Sequence, residues 1–142
     1  MLRIGKLTDY ALLILSQMAK NPASHLSATA LSEALNLSTP TVSKILKILA
    51  EAGLVTSIRG AVGGYMLNRI ASDISIADVL TAMEGELALT ECCELKNLCA
   101  IESTCTLRAN WRLINKNIHA MLSKLNILDM AKPLAEGSFH VK

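Results

Sequence analysis

Four cysteines are the side chains in this 142-residue sequence whose type and spacing could do chemistry. Cys93, Cys99 and Cys105 are each separated by five residues, and Cys92 stands directly before the first of them. Structural zinc sites usually pair cysteines two to four residues apart, so this spacing fits zinc poorly. Thiolates favour soft metals and iron–sulfur clusters. The array therefore indicates an iron–sulfur cluster (2Fe–2S or 4Fe–4S), with independent free thiols as the alternative.

Three thiolates leave such a cluster one ligand short. The fourth ligand could be Cys92, a nearby acid, or a residue of another subunit; the nearby acids are Glu91, Glu94 and Glu102. The three histidines show no ligand spacing. The sequence has no paired-carboxylate, nucleophile–base or phosphate-loop signature, so we expect neither an enzyme nor a small-molecule substrate.

Three amphipathic helices are predicted in the first 53 residues. The second begins behind the N-cap Ser27 and stops at Asn36, a residue that tolerates the left-handed conformation. The third begins behind Ser38 or Thr39, with Pro40 in its first turn, where a missing N–H has no cost. Two helices of this size joined by a short turn form a helix-turn-helix.

A glycine-rich hairpin follows the third helix. Residues 54–58 and 65–67 are predicted strands, and the connection Arg59–Gly64 between them is rich in glycine. A hairpin directly after a helix-turn-helix is a wing. The predicted fold class is mainly α: a winged helix-turn-helix with a small β-hairpin wing and a long C-terminal dimerisation helix.

The third helix and the wing predict a surface for double-stranded operator DNA. Polar side chains on the third helix fall away from its apolar stripe and can face the major groove. Lys44 is suited to bond a base such as guanine, and Arg59 could enter a narrow minor groove. The predicted DNA-binding residues are Thr39, Pro40, Thr41, Ser43, Lys44, Lys47, Arg59 and Tyr65.

Charge and composition agree with a DNA-binding head in the first part of the chain (residues 1–85). Residues 1–70 hold seven Lys/Arg against three acids, a net charge of +4, whereas residues 71–142 hold seven against nine, a net charge of −2. The chain is 51% apolar but only 3% aromatic, which suits helices packed on helices. It has no apolar run long enough for a membrane and no signal-peptide pattern at its start, so we expect a cytoplasmic protein without a membrane partner.

Two further helices are predicted, one on each side of the cysteines. Ser75 and Asp78 form the capping box of a fourth helix that ends before Gly85. Farther on, apolar residues follow the narrow seam of a helix that pairs with another helix: Leu107, Trp111, Ile114, Ile118, Met121 and Leu125. We therefore divide the chain into a DNA-binding domain at 1–85, a cysteine-rich loop at 86–105, a dimerisation helix at 106–131 and a flexible tail at 132–142.

Several motifs together resemble one family across nearly the whole chain. They are Leu7-Thr8-Asp9-Tyr10-Ala11, Pro40-Thr41-Val42-Ser43-Lys44, the stretch 59–65 and the three-cysteine array. This combination is similar to the IscR/NsrR-type iron–sulfur regulators. The stretch Ala88–Cys92, with Cys99, Cys105 and Asn110-Trp111-Arg112, looks most like the branch that controls the SUF cluster-assembly operon.

The resemblance implies a homodimer in which the cysteine loop lies near the DNA-binding head of the partner. It makes Cys93, Cys99 and Cys105 the cluster ligands and Arg59 the wing arginine. The IscR branch has a histidine three positions after its last cysteine, but Arg108 stands there in this chain. The NsrR branch uses an aspartate of the partner subunit that matches Asp9, so Asp9 and Cys92 remain the two candidates for the fourth ligand.

The leading interpretation is a dimeric repressor of SUF-type cluster-assembly genes. The cluster-loaded protein would hold its operator, and cluster loss would change the loop and release the DNA. A nitric-oxide-responsive repressor on the same scaffold and a metal-free or zinc-braced DNA-binding regulator are the alternatives.

Overall fold

The computed structural model describes residues 3–94 and 99–136. In these ranges the chain forms α1 (Lys6–Ala19), α2 (Ala28–Leu35), α3 (Thr39–Glu51), β1 (Val55–Ile58), β2 (Gly64–Leu67), α4 (Ile76–Glu84), α5 (Arg108–Lys124) and α6 (Ile127–Met130). Short 3-10 turns lie at Ala71–Asp73 and Glu91–Cys93. This order confirms the predicted fold class: mainly helical, with one antiparallel hairpin and a long C-terminal helix. Part of the predicted cysteine loop (95–98) and part of the predicted tail (137–142) lie outside the described residues.

The local signals of the helix-turn-helix are confirmed. The Ser27 hydroxyl accepts a hydrogen bond from the Ala30 N–H at 3.0 Å and so caps α2. Asn36 ends α2 in the left-handed conformation, with φ of 52°. Ser38 caps α3 through the N–H of Thr41 at 3.4 Å. Short polar residues therefore set both ends of the turn.

One core unites α1, α3, α4 and the hairpin. The apolar stripe of α3, Val42, Ile45, Leu46 and Leu49, is fully buried against Ala11, Ile14 and Leu15 of α1 and Val79 of α4. In the hairpin, Val55 pairs with Leu67 and Ile58 with Gly64, and the two apolar ends at Val55 and Leu67 are buried. Burial of this stripe fixes which face of α3 remains for solvent.

A carboxylate from α4 completes the beginning of α1. The N-cap of α1 is Gly5, which has no side chain to offer. Glu84, at the end of α4, accepts hydrogen bonds from the Gly5 N–H at 2.7 Å and the Thr8 hydroxyl at 2.5 Å. An acid is favourable at a helix N-terminus, where unpaired N–H groups carry partial positive charge. Glu84 thus joins the C-terminal end of α4 to the first turn of α1.

The C-terminal helix is shorter than the predicted segment 106–131. α5 ends at Lys124, Leu125 is extended, and α6 begins behind Asn126. The Asn126 side chain accepts from the N–H groups of Leu128 and Asp129, while the Asp129 carboxylate accepts from the Asn126 N–H. This capping box interrupts the helix, because it satisfies the backbone groups that a new helix start would leave unpaired.

The interruption returns the chain to the core. The N–H of Ile76 donates to the Leu125 carbonyl at 2.9 Å, and the N–H of Ile127 donates to the Ile74 carbonyl at 3.1 Å. Ile127 is fully buried among the residues of the core. The end of α5 is therefore fastened to the beginning of α4. Within the described ranges, no helix is long and apolar enough to cross a membrane.

We predict that Ile127→Ala destabilises the protein by about 2–5 kcal/mol, because it removes a large side chain from a closed core and leaves a cavity. Urea denaturation followed by circular dichroism measures the free energy of unfolding. Leu128→Ala is the matched control, since Leu128 is 41% exposed in the same short helix. Equal losses for the two variants would contradict the anchoring role of Ile127.

Candidate DNA interface and cysteine loop

The outer face of α3 presents polar and basic side chains. Pro40, Ser43, Lys44 and Lys47 are exposed, whereas Thr41 is half-buried with its hydroxyl 2.6 Å from that of Ser38. The two lysines supply donors for phosphate or base edges, and the Ser43 hydroxyl supplies a shorter one. The structure thus places these predicted residues on one accessible helix face.

The turn between α2 and α3 is held by the side-chain hydroxyls of Ser32 and Thr39. Ser32 donates to the Leu37 carbonyl at 2.6 Å, and the Thr39 hydroxyl donates to Ser32 at 3.0 Å. The hydroxyl of Thr39 is therefore engaged inside the turn rather than directed at solvent. Sequence reasoning missed Ser32, because its apolar-facing position in α2 carries no signal beyond helical periodicity.

The hairpin is tied to the beginning of α2. Leu26 and Tyr65 exchange two backbone hydrogen bonds, 2.9 Å and 2.8 Å long, which extend the hairpin by one bridge. A Cβ on Gly64 would lie 2.9 Å from the Leu26 carbonyl, so only glycine permits this approach. Tyr65 is half-buried and packs against the core. The wing therefore keeps a fixed orientation relative to the helix-turn-helix.

The wing carries Arg59 in an exposed position directly after β1. Gly60 has φ of 124°, a conformation that residues with a side chain rarely adopt. A Cβ on Gly63 would lie 2.3 Å from the Ile58 carbonyl oxygen. These glycines shape a tight connection that projects the arginine from the end of β1.

The cysteine loop contains four free thiols of unequal exposure. Cys92 is buried, whereas Cys93, Cys99 and Cys105 are half-buried. Among residues 3–94 and 99–136, no three potential ligands lie close enough together to hold a metal ion. The donor set fits an iron–sulfur cluster by its chemistry, since three thiols with partial access to solvent lie on one short loop. Segments of the loop would have to approach one another for all three to bind one cluster.

The first half of the loop is fastened to α5 by side chains. The Asn115 amide donates to the Leu87 carbonyl at 2.8 Å and accepts from the Leu89 N–H at 3.0 Å. One turn earlier in α5, the Arg112 Nε donates to the Cys92 carbonyl at 2.9 Å. The backbone on both sides of Thr90 thus follows the surface of α5.

The second half of the loop is fastened to the same helix by charge. The Glu102 carboxylate forms ion pairs with Arg108 and, at 3.6 Å, with Arg112. The Glu102 side chain is only 10% exposed, which shields these pairs from solvent. Arg108, which stands where the IscR branch has a histidine, therefore braces the loop. Glu102 would have to leave two guanidinium groups to act as a cluster ligand.

A cleft of about 480 Å³ separates the loop from the C-terminal end of α4 and the middle of α5. Its lining includes Cys93, Glu94, Arg112, Asn115, Lys116 and His119. Cys93 is the loop cysteine in this lining. Asp9, the other residue named as a possible ligand, is exposed in the first turn of α1 and follows Thr8, the partner of Glu84.

Comparison with known proteins gives consistent matches. Residues 4–133 match the Rrf2 family, described as an iron-dependent transcriptional regulator. The HTH-type transcriptional regulator NsrR of Bacillus subtilis is 31% identical over 90% of this chain and 85% of its own. The structure of CymR, the global cysteine regulator of B. subtilis, has a TM-score of 0.72 and 28% identity, covering 92% of this chain and 97% of its own. The structure of T. potens IscR has a TM-score of 0.68 and 26% identity, covering 91% and 85%.

We predict that Gly63→Ala distorts the wing and lowers stability by about 1–3 kcal/mol, because the added methyl group collides with backbone that cannot move aside. Thermal denaturation and amide exchange in β1 and β2 measure the effect. The control is Val62→Ala at the neighbouring position, where the side chain is 87% exposed and truncation should change stability by less than about 0.5 kcal/mol. Unchanged exchange in Gly63→Ala would show that the hairpin tolerates a side chain there.

Proposed function

Because the chain belongs to the Rrf2 family of transcriptional regulators, we propose that it is a cytoplasmic, dimeric repressor of SUF-type cluster-assembly genes that senses an iron–sulfur cluster on its cysteine loop. The relatives are DNA-binding regulators and not enzymes, in agreement with the sequence-based expectation. One observation carries the sensing part of the proposal. The cysteine loop is fastened to the N-terminal half of α5, and the segment directly after α5 is joined to the DNA-binding head through Leu125 and the buried Ile127.

In the proposed complex, α3 enters the major groove of the operator. Residues near its start, Pro40, Thr41, Ser43 and Lys44, would face base edges, and Lys47 one turn later would contact phosphate. Thr39 would contribute through its backbone, because its hydroxyl is bonded to Ser32. Arg59 at the wing would reach the adjacent minor groove, with Tyr65 supporting the wing from β2.

A second copy of this chain is the proposed partner of α5. The helix has no buried residue within one chain, although it carries large apolar side chains. Leu107, Trp111 and Ile114 are 56%, 38% and 43% exposed. They follow the seam spacing that suits packing against an identical helix, and burial of such a stripe is favourable in water. Dimerisation would place two α3 helices for two half-sites of an operator.

For sensing, an iron–sulfur cluster would link the thiolates of Cys93, Cys99 and Cys105. Iron limitation or oxidants would remove this link by removing the cluster. The loop residues that contact α5 would then differ in position between the cluster-loaded and the empty protein. In the described residues, the three thiols do not lie close enough together to bind one cluster. Arg112 and Asn115 would pass that difference to α5, and Leu125 and Ile127 would pass it to the head. Both heads of the dimer would change their spacing together.

Two alternatives keep specific support. The match to NsrR and the exposed position of Asp9 favour a nitric-oxide-responsive repressor with Asp9 of the partner subunit as the fourth ligand. The ion pairs of Glu102 brace the loop without a metal, which favours a regulator whose loop is metal-free or held by zinc. Operator release by nitric oxide, at doses that leave cluster-loss controls bound, distinguishes the first. Zinc or no metal after anaerobic purification distinguishes the second.

We predict that Lys47→Ala weakens binding to specific and random DNA alike, because a phosphate contact carries no sequence information. The slope of log affinity against log salt should become less steep by about one for each lysine lost. Fluorescence anisotropy at several salt concentrations gives this slope. Lys47→Arg keeps the charge and should keep the slope, so an unchanged slope in Lys47→Ala would remove Lys47 from the interface.

We predict that Cys99→Ala loses iron and acid-labile sulfide on anaerobic purification and binds the operator more weakly than the wild-type protein, because a cluster ligand is missing. Iron, sulfide and operator affinity are measured on the same preparation. The control is Ser103→Ala, an exposed position in the same loop. Operator affinity that stays at the wild-type value after iron loss in Cys99→Ala would rule out the proposed sensing.

A further inference from the structure

The side chain of Thr90 lies between two sulfur atoms of the cysteine loop. Its hydroxyl oxygen is 3.1 Å from the Cys92 Sγ and 3.3 Å from the Cys93 Sγ, both within hydrogen-bond range for sulfur. Thr90 stands before the 3-10 turn at Glu91–Cys93, but its side chain does not cap that turn. The backbone does so instead, since the Thr90 carbonyl accepts from the Cys93 N–H at 2.8 Å. The hydroxyl is therefore available to both sulfurs.

The chemistry of a hydroxyl determines how both contacts can be hydrogen bonds at once. A hydroxyl has one proton to donate and can accept others. At most one sulfur can therefore accept from Thr90, and at least one must be a thiol that donates to the Thr90 oxygen. A sulfur that binds metal is a thiolate and can only accept. The two cysteines consequently cannot both be thiolate ligands while both remain bonded to Thr90.

The surroundings of the two sulfurs assign the roles. Cys92 is 7% exposed, and its carbonyl is held by the Arg112 Nε at 2.9 Å. Cys93 borders the open cleft between the loop and α5, where a metal centre has room. The turn at residues 90–93 is local, so these contacts do not depend on how the rest of the loop closes. Cys93 is thus placed to be the thiolate, and Cys92 the thiol.

We propose that Thr90 is a positioning residue whose hydroxyl accepts a hydrogen bond from the Cys92 thiol and donates one to the Cys93 thiolate, which keeps Cys92 out of the cluster ligand set. The fourth ligand then comes from outside this turn. Hydrogen bonds to ligating sulfurs tune the potential of iron–sulfur clusters. A donor to a ligating sulfur favours the more negatively charged, reduced state, and so raises the midpoint potential. This inference rests on the proposed cluster function.

The test uses the full chain, reconstituted anaerobically with iron and sulfide. Cys92→Ala and Cys92→Ser should take up as much iron per chain as the wild-type protein, whereas Cys93→Ala should lose it. Thr90→Val has nearly the same shape without the hydroxyl, and should bind the same iron with a midpoint potential shifted to more negative values. Thr90→Ser keeps a hydroxyl and should restore the wild-type potential. Iron–thiolate stretching frequencies should rise in Thr90→Val and not in Thr90→Ser.

Each contrary result has a distinct meaning. Iron loss in both Cys92 variants would make Cys92 a ligand and overturn the inference. A wild-type potential and unchanged stretching frequencies in Thr90→Val would show that the hydroxyl does not donate to the ligating sulfur. Both results leave the cluster function intact, because the wild-type protein is loaded in each. A wild-type protein that takes up no iron would overturn the proposed function and this inference together.

Discussion

No residue of the long helix α5 is fully buried within one chain, so its position depends largely on the contacts at its two ends. At its C-terminal end, two capping boxes lie side by side, one at Ser75 and one at Asn126, and the backbone around them is bridged. Ile127 then inserts into the core. An exposed helix gains little from packing, and most helical stability in proteins comes from tertiary contacts. These bridges give α5 a defined direction before any second copy covers it.

The other half of α5 organises the cysteine loop through polar contacts rather than apolar ones. Asn115 and Arg112 bond to backbone groups of the first half of the loop. Glu102, in the second half, forms ion pairs with Arg108 and Arg112. Polar contacts of this kind are directional and individually modest, about 1 kcal/mol each, so they can be exchanged without unfolding the head. Glu84 makes a second connection between the loop region and the head, since it ends α4 two residues before the loop and bonds to the beginning of α1.

Local signals in the sequence predicted the head well. Ser27, Asn36, Ser38 and the capping box of α4 act on residues a few positions away, and each appears as expected. The break after Lys124 was missed, because Leu125 continues the apolar spacing. The pattern Asn126 to Asp129, an N-cap followed by an acid three residues later, repeats that of Ser75 to Asp78 and could have indicated it.

Contacts between distant segments could not be predicted from the sequence in this way. Glu84 meets Gly5, and Arg112 meets Cys92, only after the core has brought their helices together. The order of the core residues along the chain has a consequence for synthesis of the protein. Ile127 completes the core although it follows nearly all other core residues in the chain. A nascent chain in which this residue is still inside the ribosome has an unfilled position in its core, so the head reaches its full stability late in synthesis.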